Sequence, residues 1–153
     1  MEEGSLCSMS ELSSGKITID APIAQVQACL FDLAGYPSWS TAIKKVEILS
    51  SDDQGRATSA KTTIDAGMLK DRVVLTYDWS KAPNSLEFSM EDADLLTAMN
   101  GSYEIKSVDE DSTLVTYNLG VDVSMPIPAM MRQKAEKATI EQALSQLKEH
   151  LEK

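Results

Sequence analysis

Hydrophobic positions change their period along this chain, and the changes divide it into helices and strands. Lys16-Ile17-Thr18-Ile19-Asp20 alternates weakly and predicts a first strand. Pro22 then opens a helix, where a missing N–H costs nothing. Ile23, Val26, Cys29, Leu30 and Leu33 recur at helical spacing on one face until Gly35 closes it. Tyr36-Pro37-Ser38-Trp39 reads as a tight turn into a second, very short helix. From Ile43 the period becomes two. Val46 and Ile48 mark one strand and Ala57 to Ile64 the next, with turns at Ser51 to Gly55 and at Asp65-Ala66-Gly67. The clearest alternation sets Val73, Leu75, Tyr77 and Trp79 on one face against Arg72, Thr76 and Asp78 on the other. Lys81-Ala82-Pro83-Asn84 turns the chain into three further alternating runs: Leu86 to Met90, Gly101 to Ile105, and Val115 to Val123. Strands joined by short turns, with no helices between, predict an antiparallel meander half-buried on one face.

Met125-Pro126-Ile127-Pro128 breaks that pattern, and a helix free of Pro and Gly is expected from Ala129 to Leu151. Ile140, Leu144, Leu147 and Leu151 form a stripe on it, and Met131, Ala135, Ala138, Thr139 and Ala143 an adjoining arc. Together they are too wide for one flat contact. The small residues either let the helix sit close on the sheet or leave space for a guest. Residues 1–13, rich in Ser and Glu without periodicity, are expected to form a flexible tail, and 14–153 a single domain. A chain of 153 residues buries roughly 70% of its unfolded surface, enough for a core without disulfide or metal staples.

The net charge of −10 argues against nucleic-acid partners and against anionic membrane surfaces, both of which select for Lys and Arg. No apolar run approaches the ~20 residues of a bilayer span, so no stable membrane insertion is expected. The opening Met1-Glu2-Glu3 lacks the positive charge of a secretory signal, which makes the cytoplasm the expected location. Cys7 and Cys29 have neither disulfide nor metal spacing, and Cys29 reads as a small apolar residue. The lone histidine, His150, falls in the last turn of the final helix, so neither a hydrolytic triad nor a zinc site is expected. With no glycine-rich phosphate loop and no dinucleotide fingerprint, no cofactor is expected either.

What remains is a set of side chains expected to face inward and to form a ligand pocket. The strands and the Tyr-Pro turn supply Trp39, Tyr77, Trp79, Phe88, Met90, Met99, Tyr103 and Tyr117, and the last helix supplies Met131, Ala135, Ala138 and Thr139. A mostly apolar lining with a few hydroxyls is how small-molecule sites are commonly built. Ordinary core packing is the alternative for each residue singly. Trp39 reads either as a gate or as a packing anchor. Glu91 to Ala98 reads either as a mobile lip or as a plain extension of its hairpin.

Several stretches resemble the START-like superfamily, the polyketide cyclase/dehydrase or SRPBCC proteins. They are Ile19-Asp20-Ala21-Pro22 through Asp32 with Tyr36-Pro37-Ser38-Trp39; Leu69-Lys70-Asp71-Arg72 with Tyr77-Asp78-Trp79; Gly101-Ser102-Tyr103; Tyr117-Asn118-Leu119 through Val121-Asp122; and Pro126-Ile127-Pro128. The resemblance runs from about residue 16 to 151. It implies an α+β helix-grip fold: a curved antiparallel sheet of about seven strands around a long C-terminal helix, two short helices after the first strand, and a deep pocket between sheet and helix. Members include lipid carriers, hormone and allergen-type binders, aromatase/cyclases and coenzyme-Q-binding proteins. Three functions stay open on that basis. One is a carrier or sensor of a small hydrophobic molecule. Another is a cyclase or dehydrase with Tyr77, Tyr103 or Arg72 moving protons. The third is an accessory factor that docks on another protein.

Overall fold

The computed structural model describes residues 12–66, 69–123 and 127–152. Strand β1 (Ser13–Ile19) leads into helix α1 (Ile23–Phe31) and a 3-10 turn (Leu33–Ser38). Six strands follow: β2 (Ile43–Ser51), β3 (Ala57–Ala66), β4 (Leu69–Asp78), β5 (Ser85–Ala93), β6 (Leu96–Asp109) and β7 (Ser112–Val123). Helix α2 (Ala129–Leu151) closes the chain. The strands form one antiparallel sheet in the order β1-β7-β6-β5-β4-β3-β2, so β2 to β7 is the expected meander and β1 is added at the far edge. This is the α+β helix-grip arrangement of seven strands and a terminal helix. Ser13, assigned to the tail by composition, pairs with Leu119 as the first residue of β1.

Period-two alternation becomes burial on the concave face. On β7, Thr113, Val115, Tyr117, Leu119 and Val121 are buried; on β4 it is Val73 and Leu75, with Trp79 just past its end. Helix α2 lays Ile140, Leu144 and Leu147 against β1 and β7. Each such buried side chain contributes about 1.5–3 kcal/mol of transfer energy. The approach is close because β1 carries Gly15 there: an added Cβ would lie 2.7 Å from Ile140 Cγ2. The last turn of α2 is clasped to the first strand, where Lys148 Nζ donates to the Thr18 carbonyl (3.0 Å) and Glu152 accepts from the Asp20 N–H (2.8 Å).

Helix α1 ends earlier than its apolar spacing predicts. It stops at Phe31, and Asp32 leaves helical geometry at φ −88°, ψ 83°. Pro37 lacks an N–H and disfavours helical geometry before it, so the chain continues as a 3-10 turn containing Tyr36 and Pro37. Gly35 does not cap α1 but makes room for the Asp32 carboxylate, which an added Cβ would meet at 2.5 Å.

Candidate functional site

Because α2 leans on β1 and β7, the other half of the sheet curves away from it, and a cavity of about 70 Å³ remains between them. Its walls come from every layer. Leu33, Tyr36, Trp39 and Ser40 come from the 3-10 turn and its exit, and Ala42, Ile43 and Val46 from the start of β2. The sheet adds Thr62, Ile64, Asp71, Leu75, Tyr77, Leu86, Phe88, Leu96, Met99, Tyr103, Tyr117, Leu119 and Val121. Helix α2 adds Thr139 and Ala143.

Seven of the twelve expected pocket residues therefore border the cavity: Trp39, Tyr77, Phe88, Met99, Tyr103, Tyr117 and Thr139. Five do not. Trp79 is buried, but its indole N–H donates to the Ala57 carbonyl (2.7 Å) and its ring packs edge-on against Phe31 (5.3 Å), beyond the cavity. Met90 is half-buried against the core outside the lining. Met131 (49% exposed) and Ala138 lie on the outer side of α2, and Ala135 is only half-buried. At about 100° per residue Met131 and Ala138 fall opposite Ile140, so the apolar arc of α2 is narrower than their hydrophobicity suggested. Arg72 also points away. It is exposed and pairs with Asp94 (3.2 Å).

All four tyrosines of the chain meet at this cavity. Tyr103 and Tyr117 stack with ring centroids 4.3 Å apart. Tyr36 donates to the Leu30 carbonyl (2.5 Å). Burial out of water disfavours every phenolate. Tyr117 is pushed up to about 12, while Tyr36 and Tyr103 lie well above the ordinary value for a phenol, each raised further by its tyrosine neighbours. The unfolded chain loses these protons near pH 10, so stability is full below about pH 10 and falls as pH rises towards 12. An absorbance titration in the tyrosinate band is expected to show little ionisation of the native protein at pH 11, then a jump that coincides with loss of near-UV dichroism.

Among the described residues of the lining, the one charged group is Asp71. Partial burial pushes its carboxyl up, but backbone N–H groups of Leu96 (2.7 Å), Leu95 (2.9 Å), Arg72 (2.7 Å) and Asp94 (3.2 Å) more than offset that and hold it below the usual range. Its acceptor capacity is taken up in pinning the β5–β6 turn. In the segment from Glu91 to Ala98, β5 runs to Ala93 and β6 starts at Leu96, but the two strands pair with each other only over Ser85–Ser89 and Asn100–Glu104; beyond that β5 pairs with β4 and β6 with β7. Outside the cavity, burial and the neighbouring Asp32 raise the Cys29 thiol to about 11, which leaves it protonated and unreactive at neutral pH. Among the described residues no group of His, Cys, Asp and Glu side chains is arranged to hold a metal ion.

One polar atom stands apart. Trp39 is 8% exposed, its ring lies 5.1 Å from that of Tyr36, and its Nε1 is the buried side-chain nitrogen that has no hydrogen-bond partner among the described residues. An unmade bond of this kind costs about 1–3 kcal/mol. Tyr36, Leu75, Asp71 and Ala143 border the cavity without being among the twelve expected pocket residues, although Ala143 lies on the arc of small residues read as possible space for a guest. For Leu75 the alternation shared with Tyr77 is a usable signal, whereas nothing local marks Asp71 as cavity-facing.

A curved sheet and terminal helix enclosing an apolar cavity define the START-type class of domain. The chain belongs to the polyketide cyclase/dehydrase and lipid-transport family, whose model matches residues 12–152. Among solved structures it is similar to a START superfamily protein from Mycobacterium smegmatis, with 23% identity over 92% of this chain and 97% of that one at a TM-score of 0.87. It is also similar to the Zhui aromatase/cyclase from Streptomyces sp. R1128, with 17% identity over 92% and 93% at a TM-score of 0.71. No curated protein matches the sequence. No helix among the described residues is long and apolar enough to cross a membrane.

Proposed function

We propose that this protein binds a small hydrophobic molecule between the sheet and α2, as a carrier or sensor and not as a catalyst. The observation that carries this reading is the state of the polar groups in the cavity. Four phenols are held neutral, and the one carboxylate is held ionised and saturated by backbone donors. General acid–base catalysis is most efficient when the group's pKa lies near the working pH. None of these is tuned towards neutral pH, so the lining suits holding and orienting a guest better than moving its protons.

A 70 Å³ cavity is smaller than the few hundred Å³ usual for a small-molecule site. The walls must therefore part for a larger guest. One seam held by exposed hydrogen bonds lies where Thr41 meets α2. Its N–H donates to Gln146 Oε1 (3.0 Å), and its Oγ1 accepts from Gln146 (2.8 Å) and Gln142 (3.3 Å). These bonds are exposed and exchange readily with water. Swinging the 3-10 turn away from α2 would enlarge the cavity without breaking the sheet.

The test is a thermal-shift screen with fatty acids, flat aromatics and apolar ketones, together with native mass spectrometry of the purified protein. The reading expects saturable stabilisation by some members or a co-purified small molecule. A broad library without effect would remove it. A cyclase reading would rest on the Tyr103–Tyr117 hydroxyl pair, and it requires Tyr103→Phe to lose turnover on an acyl or polyketide substrate.

A further inference from the structure

We infer that the hydroxyls of Tyr103 and Tyr117, with those of Ser40 and Thr62 in the same lining, form the polar recognition patch of this cavity. The guest is then an apolar molecule that carries uncharged hydroxyl or carbonyl oxygen. The inference rests on the binding function proposed above and adds to it the chemical class of the guest.

It follows from where the fold leaves polar groups unpaired. Away from the cavity, buried polar side chains have partners: Ser13 donates to Glu136 (2.6 Å), Thr113 to the Ala21 carbonyl (2.8 Å) and the Trp79 indole to the Ala57 carbonyl (2.7 Å). At the cavity the pattern changes. Ser40, Thr62, Tyr103 and Tyr117 are 4–6% exposed and border the hollow, and their side-chain oxygens make no hydrogen bond to a described residue. Among the described residues, the side-chain polar atom sealed off without a partner is Trp39 Nε1. The four hydroxyls are therefore not sealed. Each keeps open surface, and on residues so deeply buried that surface faces the hollow they line. Tyr103 and Tyr117 sit opposite each other on β6 and β7 with stacked rings, which carries both hydroxyls to the same part of the cavity. Burial keeps both phenols protonated at neutral pH, so each can donate as well as accept. A hydrocarbon guest would strip water from these hydroxyls and give nothing back, whereas an oxygen on the guest replaces the lost bond. That oxygen should be uncharged. The lining contains no Lys or Arg among the described residues, and Asp71 places a negative charge in the wall. A buried carboxylate without a cation to pair with is strongly disfavoured.

The test begins on the intact chain without a guest. Because these hydroxyls bond nothing in the protein, Tyr103→Phe and Tyr117→Phe should each melt within about 1 °C of the parent. Tyr36→Phe loses its bond to the Leu30 carbonyl and should melt at least about 3 °C lower. A Tyr103 or Tyr117 variant that melts as low as Tyr36→Phe would show its hydroxyl tied within the protein and overturn the inference. Methyl-detected NMR titrations then compare toluene, p-cresol and 4-methylbenzoate, which share one ring and one methyl group. The inference expects each of the two variants to bind p-cresol about fivefold more weakly than the parent does, the worth of one ordinary hydrogen bond. Toluene affinity should stay within about twofold, and 4-methylbenzoate should bind the parent most weakly of the three. Unchanged p-cresol affinity in both variants, or an equal loss for toluene and p-cresol, would overturn the inference and leave the binding function intact. Tighter binding of 4-methylbenzoate than of p-cresol would do the same. If no probe perturbs any cavity methyl, the binding function itself fails and the inference goes with it.

Discussion

Glu136→Ala is expected to destabilise the fold by about 3 kcal/mol, a large share of the roughly 5–15 kcal/mol that holds a domain together. Glu136 is fully buried on α2, one turn before Ile140. One carboxylate oxygen accepts from the Ser13 hydroxyl (2.6 Å) on β1, the other from the Val121 N–H (2.7 Å) on β7. Arg132, one turn earlier, donates to the carbonyl of the same Val121 (3.3 Å). Alanine would leave a buried hydroxyl and a buried backbone N–H unpaired and open a small void, each a separate penalty. Urea titration should show a lower midpoint at an unchanged slope. Glu141→Ala, on an exposed position of the same helix, should stay within about 0.5 kcal/mol of the parent. Equal stability of the Glu136 variant and the parent would mean that this carboxylate does not tie α2 to the sheet.

Ala143→Phe is expected to abolish guest binding while leaving the fold intact. Ala143 borders the cavity from α2, so a ring there projects into the hollow. Affinity for an apolar probe such as 2-nonanone should fall at least about 30-fold, the equivalent of ~2 kcal/mol. Stability should change little, because the ring replaces empty space with contacts. In a solid interior the same substitution would overpack and cost about 1–3 kcal/mol. That would lower the melting point by about 2–4 °C per kcal/mol in a chain of this size. Calorimetric melting and a binding titration on one sample separate the two outcomes. A variant that melts several degrees lower, or that binds as well as the parent, contradicts the hollow.

How far the sequence disclosed this structure depends on how local the determining interaction is. The strands were legible because alternation is a local property, and α2 because Pro128 and an uninterrupted Pro-free, Gly-free run bound it. The end of α1 was not, because it is decided by Pro37 and by the Asp32 carboxylate tucked over Gly35. The cavity's aromatic members on the strands followed from the same alternation, but Trp79 shows its limit. It shares a face with Tyr77, yet lies past the end of the hollow and turns its indole to Ala57. On α2, reading hydrophobicity selected Met131 and Ala138 and passed over Glu136. Helical spacing by itself places Glu136 in the buried stripe, and a charged residue at such a position signals a tie between elements. Asp71 and Tyr36 border the cavity only because chain segments far apart in sequence meet there, which no local pattern carries.

The central claim is that the space between sheet and α2 admits an apolar guest, and methyl-labelled methionine reports on it directly. Met99 borders the cavity, whereas Met130 (79% exposed) and Met131 lie on the outer side of α2. In a titration with 2-nonanone the account predicts a saturable shift of the Met99 methyl resonance while those of Met130 and Met131 stay in place. A silent Met99, or shifts confined to Met130 and Met131, would place the probe on the surface and contradict it.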